Sequence, residues 1–204
     1  MPWITAVVPY NAVLEKVERL ALFRILDEVG QILTGFSLTV LEERNKNGGK
    51  AVREMLDICF LERGWIPEEE GMGDIDWIKR IAIDGVTIAV GVELQVSGRG
   101  GGSHLSDIIH LRAGLTEAGD GRIDIGLLVV PTDRLAVYLT DRVEGITKVK
   151  GYLKSMKAED LPLLVLALEH DGPGPALPKQ QKRSGAEPKR LAAEDEEPYR
   201  PGSN

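Results

Sequence analysis

The stretch that decides the fold is WIKRIAIDGVTIAVGVELQV, residues 77–96. It is rich in Ile and Val, and the single Asp84-Gly85 step interrupts it. β-Branched residues favour strands, and Asp-Gly is a common tight turn between two strands. The stretch therefore predicts two strands joined by a short connection.

The segments on either side predict helices and two more strands. Apolar residues at three- and four-residue spacing predict one long amphipathic helix from Asn11 to about Gly35 and a second helix that stops near Gly64. Ser103 is a suitable N-cap for a further helix, and apolar runs at 123–130 and 161–168 predict buried strands. Helices and strands in this order indicate an α/β domain with a mixed central sheet flanked by helices.

The length and composition indicate one globular domain with a polar tail. The chain has 204 residues, 43% of them hydrophobic and 28% charged, which is typical of a globular protein. Large apolar residues nearly vanish beyond Asp171, so we expect one folded domain at 1–171 and a disordered polar tail at 172–204. No membrane span or signal peptide is recognisable, and a cytoplasmic location is the expectation.

The charge balance limits which nucleic-acid functions are compatible with the chain. The formal net charge of -7 argues against a protein that coats nucleic acid through bulk positive charge. It is compatible with a DNA enzyme, because carboxylates that hold a metal are acidic and basic groups can be confined to one cleft.

The strand after the Asp-Gly step carries the polar side chains that are the strongest candidates for a catalytic role. Glu93 and Gln95 are two residues apart, so in a strand they project to the same side. Asp84 precedes Glu93 by an eight-residue gap and reaches that side if the two strands pair. Two carboxylates and an amide carbonyl are oxygen donors that suit Mg²⁺, whose bound water is a natural nucleophile.

A simpler interpretation is that Asp84-Gly85 is only a turn and that Glu93 is a solvated strand residue. Two observations favour the metal site. Glu93 and Gln95 interrupt an otherwise apolar strand, where polar groups without partners would be costly. A Gly-rich segment containing Arg99 follows them, which suits close approach of a nucleic-acid backbone.

Asp84, the eight-residue gap and Glu93-Leu94-Gln95 resemble the catalytic signature of the PD-(D/E)xK nucleases, in the variant with Gln in place of Lys. The chain is similar in order and spacing to the BglII/BstYI-like group of type II restriction endonucleases over roughly residues 10 to 170. ERGWIPEE, the strand entering Pro131 and the closing LPLLVLAL contribute to this resemblance.

The resemblance implies a homodimer around duplex DNA that cuts a short palindrome with Mg²⁺, as part of a restriction-modification system with a neighbouring DNA methyltransferase. It implies that Asp84 and Glu93 are metal ligands and that Gln95 orients the attacking water, since an amide is no base at neutral pH. It also implies DNA contacts from Ser97, Arg99, Ser103 and His104, with Arg99 on a phosphate rather than a base.

Other polar residues are weaker candidates. Asn45, Lys46, Asn47 and Lys50 either clamp DNA from the helical side or form a solvated loop. Glu69 and Glu70 are typical of an exposed loop, with a helper role at the metal as the alternative. His104 and His110 are six residues apart, which is not the spacing of a helical ligand pair. The alternatives to restriction are a repair or junction nuclease of the same fold and a catalytically silent DNA-binding protein.

Overall fold

The computed structural model describes residues 2–67, 75–97, 103–116, 122–140 and 143–177. Strands and helices are interspersed along the chain. They are β1 Trp3–Pro9, α1 Val13–Arg19, α2 Phe23–Thr34, β2 Thr39–Val40, α3 Gly49–Glu62, β3 Ile66–Pro67, β4 Trp77–Ile83, β5 Val86–Leu94, α4 Ser103–Thr116, β6 Ile125–Pro131, α5 Asp133–Tyr138, α6 Ile146–Ser155, β7 Leu163–Glu169 and β8 Gly172–Pro173.

The main sheet has six strands in the order β1-β7-β6-β5-β4-β3. Strands β5, β6 and β7 are parallel, whereas β1, β4 and β3 pair antiparallel with their neighbours. This is the predicted mixed sheet. Among the described residues, no helix is long and apolar enough to cross a membrane.

Alternate residues of the central strands pack into two separate hydrophobic cores, one on each face of the sheet. Val90, Val92 and Leu94 of β5 belong to the core formed with α1, α2 and α3. Ala89 belongs to the opposite core, together with Ile108 and Leu111 of α4. Because side chains alternate along a strand, Glu93 and Gln95 project from β5 to the α4 side.

Strands β4 and β5 form the hairpin that the sequence predicts. Their register runs from Trp77 opposite Val92 to Ile83 opposite Val86. Asp84 and Gly85 occupy the turn with φ angles of 50° and 78°. Two consecutive positive φ angles are the geometry of the tight hairpin turns that Asp-Gly favours. The hairpin therefore closes at Asp84 and opens at Trp77 and Val92.

Two predicted boundaries are wrong. The helix predicted from Asn11 to Gly35 is divided into α1 and α2, and Ala21 between them has a φ of 52°. The apolar spacing continues across this break, so the hydrophobic pattern does not reveal it. The tail predicted from residue 172 begins too early, because Gly172 and Pro173 pair with Thr39 and Val40 as strand β8.

Edge strand β1 was not predicted. It pairs antiparallel with β7 along Trp3–Pro9. Residues 178–204 of the predicted tail lie outside the described residues.

Candidate active site

The site is organised around two buried polar side chains at the end of β5. Glu93 is 2% exposed and Gln95 is 1% exposed. The backbone N–H of Gln95 still donates to the carbonyl of Val129 at 2.7 Å, so β6 holds this segment in strand geometry beyond the end of β5. The sequence-based expectation that both side chains share one face is confirmed.

Asp76, immediately before β4, supplies the second carboxylate. Its Oδ2 accepts the backbone N–H of Leu94 at 2.7 Å, which fixes it beside the end of β5. A hydrogen bond also joins the side chains of Asp76 and Glu93. Asp76 was not predicted from the sequence, although a charged residue directly before an apolar strand is a signal that could have identified it.

Asp84 does not reach this site, and the prediction that it faces Glu93 is wrong. It is exposed in the hairpin turn, at the opposite end of β5. With a rise of about 3.3 Å per residue, the turn lies roughly 25 Å from Glu93. The two strands do pair as predicted, but pairing brings the residue before β4 next to the end of β5. Asp76 therefore occupies the place expected of Asp84.

Arg53 of α3 binds Asp76 through a two-pronged ion pair. Nη2 donates to Oδ1 at 2.7 Å and Nη1 to Oδ2 at 2.9 Å. Its Nε donates to Asp57 at 2.7 Å. Burial alone would lower the pKa of Arg53, but the carboxylates of Asp76 and Asp57 outweigh it and raise that pKa above its ordinary value. Arg53 is thus a permanently charged anchor for one wall of the site.

Helix α4 brings two further residues to the same place. Gln95 Nε2 donates to Asp107 Oδ2 at 2.9 Å. His110 Nδ1 lies 3.4 Å from Glu93 Oε1. The relation of His110 to Asp107, three residues earlier on the same helical face, was not predicted from the sequence.

The carboxylates are crowded in a poorly solvated space. Burial raises the pKa of Glu93 well above its usual value, and the charges of Asp76 and Asp107 raise it further. Burial raises the pKa of Asp107 to about 7, again with a contribution from Asp76. Both shifts mean that the site, without a cation, resists carrying its full negative charge.

Two oxygen atoms in this space have no hydrogen-bond partner among the described residues: Glu93 Oε1 and Gln95 Oε1. Because Gln95 Nε2 donates to Asp107 Oδ2, the carbonyl oxygen Oε1 is the end of the amide that remains without a partner. Buried oxygens without partners are costly, and a divalent cation would satisfy them. The residues present therefore fit a metal that prefers oxygen ligands.

The raised pKa of Asp107 predicts a pH-dependent effect on stability in EDTA. Above about pH 4 the unfolded chain ionises this carboxyl, whereas the folded chain retains the proton up to about pH 7. Folding therefore binds a proton, and stability falls as pH rises through this window. Asp107→Asn removes the cost of ionisation, so we expect its stability relative to the wild type to increase from pH 4 to pH 7.

Urea unfolding at several pH values measures this difference. It reaches at most roughly 4 kcal/mol above pH 7, because each pKa unit corresponds to about 1.4 kcal/mol. A difference between the two proteins that stays constant with pH would contradict the prediction.

The residues predicted to contact DNA are distributed over three places. Ser97 is half-buried and lies three residues beyond the end of β5. Asn45 and Lys46 are exposed in the loop before α3, and Lys50 is exposed on α3. Ser103 and His104 begin α4, but their side chains lie outside the described part of the structure, as do Arg99, Glu69 and Glu70.

Asn47 has a structural role instead of a DNA contact. Its side chain is 4% exposed. Oδ1 accepts the N–H of Leu41 at 2.7 Å, while Nδ2 donates to the carbonyls of Leu41 at 2.8 Å and Tyr138 at 3.2 Å. With both ends of the amide engaged, Asn47 joins the loop before α3 to the end of α5.

Asn47→Ala is therefore expected to lower the free energy of unfolding by about 2 kcal/mol, since it leaves partly buried backbone groups of Leu41 without their side-chain partner. Urea unfolding measures the loss. Lys46→Ala is the control and should alter stability little, because Lys46 is exposed. If Asn47→Ala instead weakened DNA binding while leaving stability unchanged, the structural role would be refuted.

Comparison with solved structures identifies the class of fold. The chain is similar to restriction endonuclease BglII in complex with a DNA 16-mer, with a TM-score of 0.57 and 15% identity over 81% of this chain and 76% of that chain. Free BglII aligns with a TM-score of 0.49 and 9% identity over 81% and 78% of the two chains. The mixed sheet with its flanking helices is thus the fold of a type II restriction endonuclease.

The family follows from the sequence. The model of the family described as restriction endonuclease BamHI matches residues 17–184. The chain therefore belongs to the BamHI restriction endonuclease family, whose activity is hydrolysis of DNA by an endonuclease. No curated protein sequence gives a significant match.

Proposed function

We propose that the protein is a Mg²⁺-dependent, site-specific endonuclease that cuts both strands of a palindromic DNA duplex. The observation that carries the proposal is the convergence of Asp76, Glu93 and Gln95 where β4 begins and β5 ends, with buried oxygens that lack partners. Membership of the BamHI family supports the reaction class. The complex of BglII with a DNA 16-mer supports duplex DNA as the substrate.

Asp76 and Glu93 are the residues that would hold the metal, and Gln95 lies beside them. A divalent ion bound there lowers the pKa of a water molecule and offsets charge on the scissile phosphate. Asp76 is already fixed by Arg53 and by the N–H of Leu94, so the ligand is oriented before metal arrives. Preorganised ligands of this kind lose little freedom when substrate binds.

Gln95 acts as a positioning group for the water. Its amide cannot remove a proton at neutral pH, but its free carbonyl oxygen can accept a hydrogen bond from water. Asp107 holds the amide by accepting from Nε2, which leaves Oε1 available. Asp84 has no part in this arrangement, since it is in the distant hairpin turn.

The proposed DNA contacts are those predicted residues that remain compatible with the structure. Asn45, Lys46 and Lys50 present exposed polar or basic groups near the start of α3. Ser97 lies three residues beyond the end of β5. Together with Arg99, Ser103 and His104, they form the proposed DNA-binding set, most of it directed at phosphates. Asn47 is removed from the set because its amide is used internally.

A homodimer is proposed because a two-fold axis matches a palindromic site. A cutter of this kind requires protection of host DNA, so a DNA methyltransferase is the expected genetic neighbour in a restriction-modification system. Such a system acts on DNA in the cytoplasm, which is the proposed location.

Digestion of a plasmid of known sequence tests the function. In Mg²⁺ we expect discrete fragments whose mapped ends share a palindrome, and no cutting in EDTA. A smear would support the alternative of a repair or junction nuclease. The absence of cutting under several divalent metals and on mixed-sequence DNA would contradict the enzymatic function and leave a catalytically silent DNA-binding protein.

A further inference from the structure

Helix α4 places a carboxylate and an imidazole next to the proposed catalytic strand. Glu93, Asp107 and His110 each offer one ligand atom, and these atoms all lie within 4.8 Å of one another. Asp107 and His110 are on one face of α4 because they are three residues apart. The buried neighbours Ile108 and Leu111 anchor the helix in the core beneath them.

The two buried oxygens without hydrogen-bond partners also lie beside this group and favour a bound cation there. Glu93 Oε1 is buried without a hydrogen-bond partner among the described residues. Gln95 Oε1 is also buried without a hydrogen-bond partner among the described residues, while Nε2 of the same amide donates to Asp107. Arg53 does not supply hydrogen bonds to these two oxygens, because its guanidinium donates to Asp76, Asp57 and the carbonyl of Leu94.

We infer that Glu93, Asp107 and His110 form a second metal site, which takes a transition-metal ion such as Co²⁺ or Zn²⁺ in preference to Mg²⁺. It is distinct from the proposed catalytic site at Asp76 and Glu93, and Glu93 lies between the two. The inference depends on the proposed function only through this shared carboxylate.

The ligand chemistry sets the choice of ion. Imidazole nitrogen suits Zn²⁺ and its neighbours in the first transition row, whereas Mg²⁺ prefers an all-oxygen shell and retains its waters. Bonds of about 2.1 Å place adjacent donor atoms roughly 3.0–3.5 Å apart. The 3.4 Å between His110 Nδ1 and Glu93 Oε1 already matches that separation.

Titration of the full-length, DNA-free protein with CoCl₂ in the presence of millimolar Mg²⁺ tests the inference. Visible d–d absorption reports Co²⁺ bound by the protein. We expect one Co²⁺ per chain that Mg²⁺ does not displace, and an affinity at least tenfold lower in His110→Gln. Asp84→Asn removes an exposed carboxylate in the distant hairpin turn and is the control, with no change in Co²⁺ binding expected. Unchanged stoichiometry and affinity in His110→Gln would overturn the proposal.

A measurement on the wild type covers the case in which a variant fails to fold. Ligation through Nδ1 leaves Nε2–H on the ring, so Co²⁺ should produce a strongly shifted, exchangeable imidazole proton signal in the NMR spectrum. Its absence at saturating Co²⁺ would refute histidine ligation. Failure of DNA cutting in Mg²⁺ with the Co²⁺ site intact would count against the proposed function alone, and the reverse result against this inference alone.

Discussion

Asp76→Asn is expected to reduce Mg²⁺-dependent DNA cutting by about 10³-fold or more, whereas Asp84→Asn should cut like the wild type. The metal offsets several kcal/mol of transition-state charge, and each 1.36 kcal/mol is a tenfold change in rate. Asp76 is next to Glu93, but Asp84 is in the exposed turn at the other end of the hairpin. The pair of variants therefore compares two aspartates that flank the same strand.

Single-turnover cleavage of a plasmid measures the rate, and gel shift in Ca²⁺ measures DNA binding. Glu93→Gln is the second variant, because Asp76 also contributes to folding through Arg53. The pKa of Glu93 is raised well above its usual value, so neutral Gln should cost the metal-free fold little. Equal loss of cutting in Asp76→Asn and Asp84→Asn, with binding intact, would contradict our assignment.

Arg53→Met is expected to produce the largest loss of stability, about 3–5 kcal/mol. It removes the partner of a largely buried carboxylate, and breaking such a pair from one side leaves an uncompensated charge. Arg53 also donates to Asp57 and contacts the carbonyl of Leu94. Arg53→Lys should recover only part of the loss, because an ammonium cannot reproduce the two-pronged geometry.

Urea unfolding in EDTA measures these changes. Lys50→Met on the same helix is the control, and its exposed ion pair with Glu54 should contribute less than about 1 kcal/mol. The double variant Arg53→Met with Asp76→Asn removes both charges and should be more stable than Arg53→Met alone. If the double variant were less stable than the single one, uncompensated charge would not be the cause.

The sequence predicted the sheet well because its central strands carry strong local signals. Residues 77–96 contain β-branched residues and a turn dipeptide, and residues 125–131 form a continuous apolar strand close to its predicted position. The division of the first helix was hidden, because Ala21 adopts a positive φ without the glycine that usually marks it. Edge strand β1 was also missed, since its pairing with β7 is a long-range contact.

Only some of the site residues could be predicted, because the others are brought together by long-range contacts. Glu93 and Gln95 follow from side-chain alternation within one strand, which is a local rule. Asp76 depends on the register between β4 and β5, and Asp107 and His110 depend on the packing of α4 against the sheet. Asp84 was predicted as the second carboxylate from its spacing to Glu93 in the sequence. The register of the hairpin instead places Asp76 next to Glu93.

The location of the Asp84-Gly85 turn has an evolutionary consequence. The proposed catalytic carboxylates are at the open end of the hairpin, so the closed end can lengthen or shorten without displacing them. Adding one residue to each strand preserves the pairing, whereas an odd insertion requires a bulge or reverses the faces. Among homologues we therefore expect the number of residues between the two acids to drift mostly in steps of two, which makes that number a poor marker of kinship.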